Sequence, residues 1–107
     1  MPEHLADCTE NLRRAVRFLA NSSCAPREKL AGMYNNTGFA SIRQDDFLDG
    51  SSKDAYLMII GSLIKADEPK VAVNIAAMSE EQARTVIEQI CSLSQAAAYA
   101  LGRQSHS

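Results

Sequence analysis

The chain has 107 residues, of which 46% are hydrophobic and 22% charged, and its formal net charge is −2. That length suits one domain able to bury about two-thirds of its unfolded surface, and that composition excludes wholesale disorder. Without a net basic charge there is no field to draw in phosphates, so duplex nucleic acid is not expected as the main partner.

The first residues, Met1-Pro2-Glu3-His4, lack the charged lead and apolar run of a signal peptide. The longest apolar run, Ala55 to Ile60, is far too short to span a bilayer. Three widely spaced cysteines, Cys8, Cys24 and Cys91, do not form a disulfide framework. The expectation is a cytoplasmic protein with reduced thiols and no membrane contact. The glycosylation-type triplets Asn21-Ser22-Ser23 and Asn35-Asn36-Thr37 then carry no meaning.

Residues 3–20 predict an amphipathic helix. Leu5, Cys8, Leu12, Ala15, Val16 and Leu19 fall on one stripe of a 3.6-residue period. Leu5, Leu12 and Leu19 lie seven apart, as do Cys8 and Ala15, which is a two-heptad seam suited to a partner helix. The seam is narrow for a fully internal helix, so it is read as a site of pairwise association. Arg13, Arg14 and Arg17 occupy the other face, with Asp7 and Glu10 close enough along the helix to pair with part of that charge.

A second, short helix is expected over 26–34, with Pro26 in its first turn and Leu30, Met33 and Tyr34 facing inward. Asn35-Asn36-Thr37-Gly38 is a turn signal. Residues 39–48 have apolar anchors at Phe39, Ile42 and Phe47-Leu48 but no clear period. A third helix over 52–66 has Ser51 and Ser52 as caps and a stripe of Tyr56, Ile59, Ile60, Leu63 and Ile64. Leu57 and Met58 widen that stripe until it implies contact on more than one side, and Gly61 marks a candidate close crossing of helices.

Residues 70–78 fit two patterns. Val71, Val73 and Ile75 alternate as in a strand. Asp67 as cap, Pro69 in the first turn and the stripe Val71, Ile75, Met78 fit a helix, which is preferred. The clearest element covers 80–102. Ser79 and Gln82 form a capping box, Ala83, Val86, Ile87, Ile90, Ser94, Ala97 and Leu101 form the buried stripe, and Gly102 is the expected stop. Ala96-Ala97-Ala98 and Ala100 leave that helix end open to close approach by another helix. The expected architecture is a mainly α bundle of about four helices over residues 1–103, with room for one short β element near 70–78 and a disordered tail at 104–107. The first and last helices are expected to be long and paired.

The sequence contains no nucleophile elbow, phosphate loop or dinucleotide fingerprint. Cys8 and His4 share a helix face, but paired zinc-ligand spacing is lacking, so no metal or cofactor is expected. Residues 45–54 place Asp49 and Gly50 as an EF-hand loop would, but Phe47 and Tyr56 occupy positions that need ligands. The expectation is therefore a protein-interaction module rather than an enzyme. It would be a small regulator or inhibitor, of antiactivator or immunity type, that occludes a larger partner and forms a homodimer. Candidate anchors are Leu5, Leu12, Phe18 and Leu19, with Arg13, Arg14 and Arg17 steering an acidic surface. The alternative is a small-molecule pocket lined by Met33, Tyr34, Tyr56, Met58 and Tyr99. An enzyme using Asp45 and Asp49 ranks third.

Overall fold

The fold is built around its last helix. In the computed structural model, which describes residues 2–47 and 49–105 with side chains from Leu5 to Arg103, five α-helices follow one another: α1 (Pro2–Asn21), α2 (Pro26–Asn36), α3 (Gly50–Leu63), α4 (Val71–Ala77) and α5 (Glu80–Ser105). At 1.5 Å per residue α5 is about 39 Å long, and it runs most of the molecule's 44 Å long axis. The mainly α bundle expected from the sequence is what forms.

The seam of α1 packs against α5, in the most extensive helix pairing of the chain. Leu5, Cys8, Leu12, Ala15 and Leu19 are all buried there. A strip this narrow suffices because one long helix covers it and α2 closes its side. Arg27, at the start of α2, ion-pairs with Glu80 at the start of α5 and donates to the Ala76 carbonyl at 3.1 Å. The corner between α1 and α2 therefore meets the beginning of α5, and α1 runs antiparallel to it.

Residues 39–47 form two single turns of 3-10 helix, Phe39–Ser41 and Gln44–Asp46, rather than a regular element. Phe39, Ile42 and Phe47 are all buried, so this segment plugs the core with three anchors; the fourth, Leu48, lies outside the described residues. The segment departs from α2 through Gly38, whose φ of 82° is left-handed and cheap only for glycine. Tyr56 of α3 donates its hydroxyl to the Ile42 carbonyl at 2.5 Å, and its ring lies 5.5 Å from that of Phe47.

Residues 71–77 are helical, and the strand alternative is excluded. The cap, however, is not Asp67. Lys65 and Glu68 exchange backbone hydrogen bonds at 3.0 and 3.1 Å and close a tight turn, so the helix starts only after Lys70. Asn74, buried in α4, donates to the carbonyls of Leu63 and Glu68, both at 2.7 Å. Those bonds fasten α4 to the end of α3 and satisfy carbonyls that would otherwise be orphaned. The capping box of α5 forms as read, with Gln82 N–H donating to Ser79 Oγ at 3.0 Å and Ser79 N–H donating to Gln82 Oε1 at 2.9 Å. Gly102 does not end α5, which runs on to Ser105. Gly38 is the only glycine with positive φ among the described residues, so Gly102 never adopts the left-handed conformation that a glycine stop requires. Of the expected disordered tail, Gln104 and Ser105 are thus helical, and residues 106–107 lie outside the described residues.

Candidate functional site

Three of the four apolar anchors expected on α1 are not on the surface. Leu5, Leu12 and Leu19 are core residues under α5, so no partner reaches them without unfolding. The heptad seam is real, but its partner helix belongs to the same chain. Phe18 is half-buried beside this core and covers Gly32 of α2; a Cβ on Gly32 would stand 2.7 Å from its ring. The three arginines are exposed. Arg13 and Arg14 pair with Glu10 at 3.3 and 3.6 Å, within one helical turn. Arg14, Arg17 and Phe18 flank an open groove of about 510 Å³ that reaches Asn36 and Thr37 at the end of α2.

The five residues of the proposed ligand pocket do not converge. Met33 is in the core. Tyr34 stacks against Phe39 at 6.1 Å, and Tyr56 is buried against Phe47. Burial, with Tyr34 adding to it, pushes the Tyr56 phenol above its ordinary pKa. Met58 and Tyr99 are on the surface, 65% and 69% exposed. The Arg103 guanidinium lies 5.8 Å from the Tyr99 ring centroid, a cation–π contact at the edge of the bundle.

Two of the acidic residues between 45 and 54 are caps. Asp49 is the N-cap of α3, accepting from Ser52 N–H at 2.9 Å and from Ser51 Oγ at 2.6 Å. The Ser51 hydroxyl, with help from Ser52, holds its carboxyl below the usual range. Asp46 accepts from Arg43 N–H at 2.9 Å, and Asp45 lines a cleft shared with Asp7, Cys8 and Arg43. Burial first, then the charge of Asp46, pushes the Cys8 thiol up to about 12. Cys8 is a packed core group, and a thiol held that far from ionising is a poor nucleophile. Among the described residues no three His, Cys, Asp or Glu side chains gather to hold a metal ion. Likewise no helix is long and apolar enough to cross a membrane.

The surface feature that most needs an explanation is α3. One side buries Tyr56, Ile59 and Leu63, yet the opposite side presents Leu57 and Met58, 46% and 65% exposed, and Ile64, just past the end of the helix, is 39% exposed. A helix with apolar residues on both sides expects neighbours on both sides. Beside this face, a groove runs between α3 and α5 as two adjoining hollows of about 490 and 330 Å³. Its walls carry small side chains, Ser51, Ala55 and Gly61 from α3 and Ser92 and Ala96 from α5. Gly61 crosses no helix of its own chain, since a Cβ there would meet nothing within 4 Å. Gln89 lines both hollows, and its Oε1 is buried without a hydrogen-bond partner. The wide stripe over residues 56–64 was the sequence signal for this face. Nothing in the sequence distinguished its inner from its outer half, because both are equally apolar. The chain matches no protein-family model, no curated protein and no solved structure.

Proposed function

We propose that this protein acts by binding protein, as a small regulatory or inhibitory module rather than as an enzyme. The observation that carries the reading is the exposed apolar face of α3 and its C-cap, where Leu57, Met58 and Ile64 stand in solvent beside a groove of small side chains. Large apolar side chains grouped on one element and bordered by polar residues are the usual mark of a docking surface. The rest of the chain supports this by its chemistry. Burial holds the Cys8 thiol away from ionising, Asp46 and Asp49 serve as caps, and the tyrosines are dispersed.

A second contact surface follows from the groove flanked by Arg14, Arg17 and Phe18. It combines two arginines with an aromatic ring already held against the core, and it suits an acidic segment of a partner protein. Occlusion of a larger protein would use this surface, while the α3 face supplies the apolar docking area.

Crosslinked capture from native cells tests the proposal. Wild type should retain a defined protein, either another chain or a second copy. Leu57→Glu with Met58→Glu should lose it if α3 is the docking face, and Phe18→Glu should lose whatever the arginine groove holds. Identical capture by all three chains would sink the reading.

A further inference from the structure

We infer that the larger hollow between α3 and α5 is a binding site for a small apolar amine. Such a site is separate from protein docking and needs no partner protein.

The hollow is a product of helical spacing. On α5, Thr85, Glu88, Gln89, Ser92 and Ala96 follow one another along a single stripe, and on α3 Ser51, Ala55 and Met58 do the same. Ser51, Ala55, Ser92 and Ala96 are too small to interlock across the gap, so a channel stays open where larger side chains would fill it. Its volume of about 490 Å³ lies within the range of small-ligand sites, about 300–1,000 Å³. Ala55, Leu93, Ala96 and Met58 give it an apolar wall. Met58 is unbranched, so its side chain can adapt to a bound group.

The polar groups around that wall are biased toward acceptors. Gln89 Oε1 is buried from solvent with no hydrogen-bond partner, which costs free energy for as long as no donor reaches it. Gln89 lines the hollow, so a rotation of its side chain brings that oxygen to a donor bound there. Ser51 donates its hydroxyl to Asp49 at 2.6 Å, and Thr85 donates its hydroxyl to the Glu81 carbonyl at 3.1 Å. Both therefore offer an incoming group only lone pairs. Glu88, next to Gln89, adds a carboxylate that forms no ion pair among the described residues. No lysine or arginine lines the hollow among the described residues. A protonated amine is the complement of this set, with three donors, no acceptor and a positive charge. An alcohol brings one donor and no charge, and a carboxylic acid brings the same charge as Glu88.

Titrating the full chain with phenethylamine, phenethyl alcohol and hydrocinnamate tests this, because the three probes share an apolar body and differ in their polar end. Amide chemical shifts give both affinity and place, and melting temperature checks the fold. Phenethylamine should bind once per chain, with shifts centred on Ala55 and Gln89, and about tenfold more tightly than phenethyl alcohol. Hydrocinnamate should bind more weakly than either. Glu88→Gln should narrow the preference for amine over alcohol about threefold, as expected for one exposed charge. Gln89→Leu should weaken the amine about tenfold, while the unliganded chain melts no lower than wild type because an orphaned amide is gone. Ala96→Phe, at an exposed position, fills the hollow and should abolish binding with the fold retained. No binding of phenethylamine overturns the inference, and so does equal binding of the three probes. Shifts centred elsewhere on the chain, or wild-type affinity in both Gln89→Leu and Ala96→Phe, overturn it as well.

Discussion

Replacing Leu12 by Ala separates the two roles open to the first helix. Leu12 has no exposed surface and sits mid-seam, between Cys8 and Ala15, against α5. The substitution removes three carbons, and at about 0.8 kcal/mol per buried methylene the transfer loss is about 2.4 kcal/mol. The cavity left between two long helices cannot collapse fully, which adds about 1 kcal/mol or more. The expected loss is therefore about 3–4 kcal/mol, from a total of about 5–15 kcal/mol for a domain of this kind. At about 4–8 °C per kcal/mol the melting temperature should fall by at least about 12 °C. Leu57→Ala, on the exposed side of α3, should change unfolding by less than about 1 kcal/mol. Urea melts followed by far-ultraviolet circular dichroism at one fixed protein concentration give both numbers, with the slope unchanged. A Leu12→Ala loss below about 1 kcal/mol would refute the reasoning. So would a variant that folds normally but fails to assemble, because the seam would then lie between chains.

Gly61→Ala should raise the stability of the chain by about 1 kcal/mol, because a helical glycine is replaced where the new methyl meets nothing. Gly32→Ala should gain less, since Phe18 must move aside. Asp49→Ala should cost about 1 kcal/mol at neutral pH by removing the cap of α3. Because the folded carboxyl titrates below its unfolded value, that contribution is present above about pH 4 and is lost as the pH falls through the depressed value. The gap in melting temperature between wild type and variant should therefore close in acid, and a gap that persists there would contradict the assignment. Alkylation of the native chain near pH 8 should label exposed Cys24 first, half-buried Cys91 more slowly, and Cys8 only after unfolding. Early labelling of Cys8 would contradict its place in the core.

Much of the fold was legible because its signals are local. The seam of α1, the capping box of Ser79 and Gln82 and the turn at Gly38 each involve residues within a few positions of one another. The period of 71–78 proved helical because Asn74 and Ile75 both turn inward, and the buried Asn74 makes its bonds only to carbonyls brought together by the end of α3. No local pattern announces such a bond. For the same reason the 39–47 segment looked formless: its three anchors are fixed by the core they fill, not by a period of their own. The partner of the α1 seam was misread on a question of scale. A two-heptad seam looks alike whether its partner is another chain or a helix much later in the same chain, and here α5 takes it. The excess apolar width of α3 was visible in the sequence, and the structure shows which half of it α5 and the core leave uncovered.

The most direct test is oxidative footprinting of Met58 in the cell and in dilute purified protein. Tyr99, exposed in the isolated chain and outside the proposed contact, serves as the internal reference. If the α3 face is a docking surface, Met58 oxidation relative to Tyr99 should be several-fold lower in the cell and should recover on dilution. Equal oxidation under both conditions would mean that nothing covers this face.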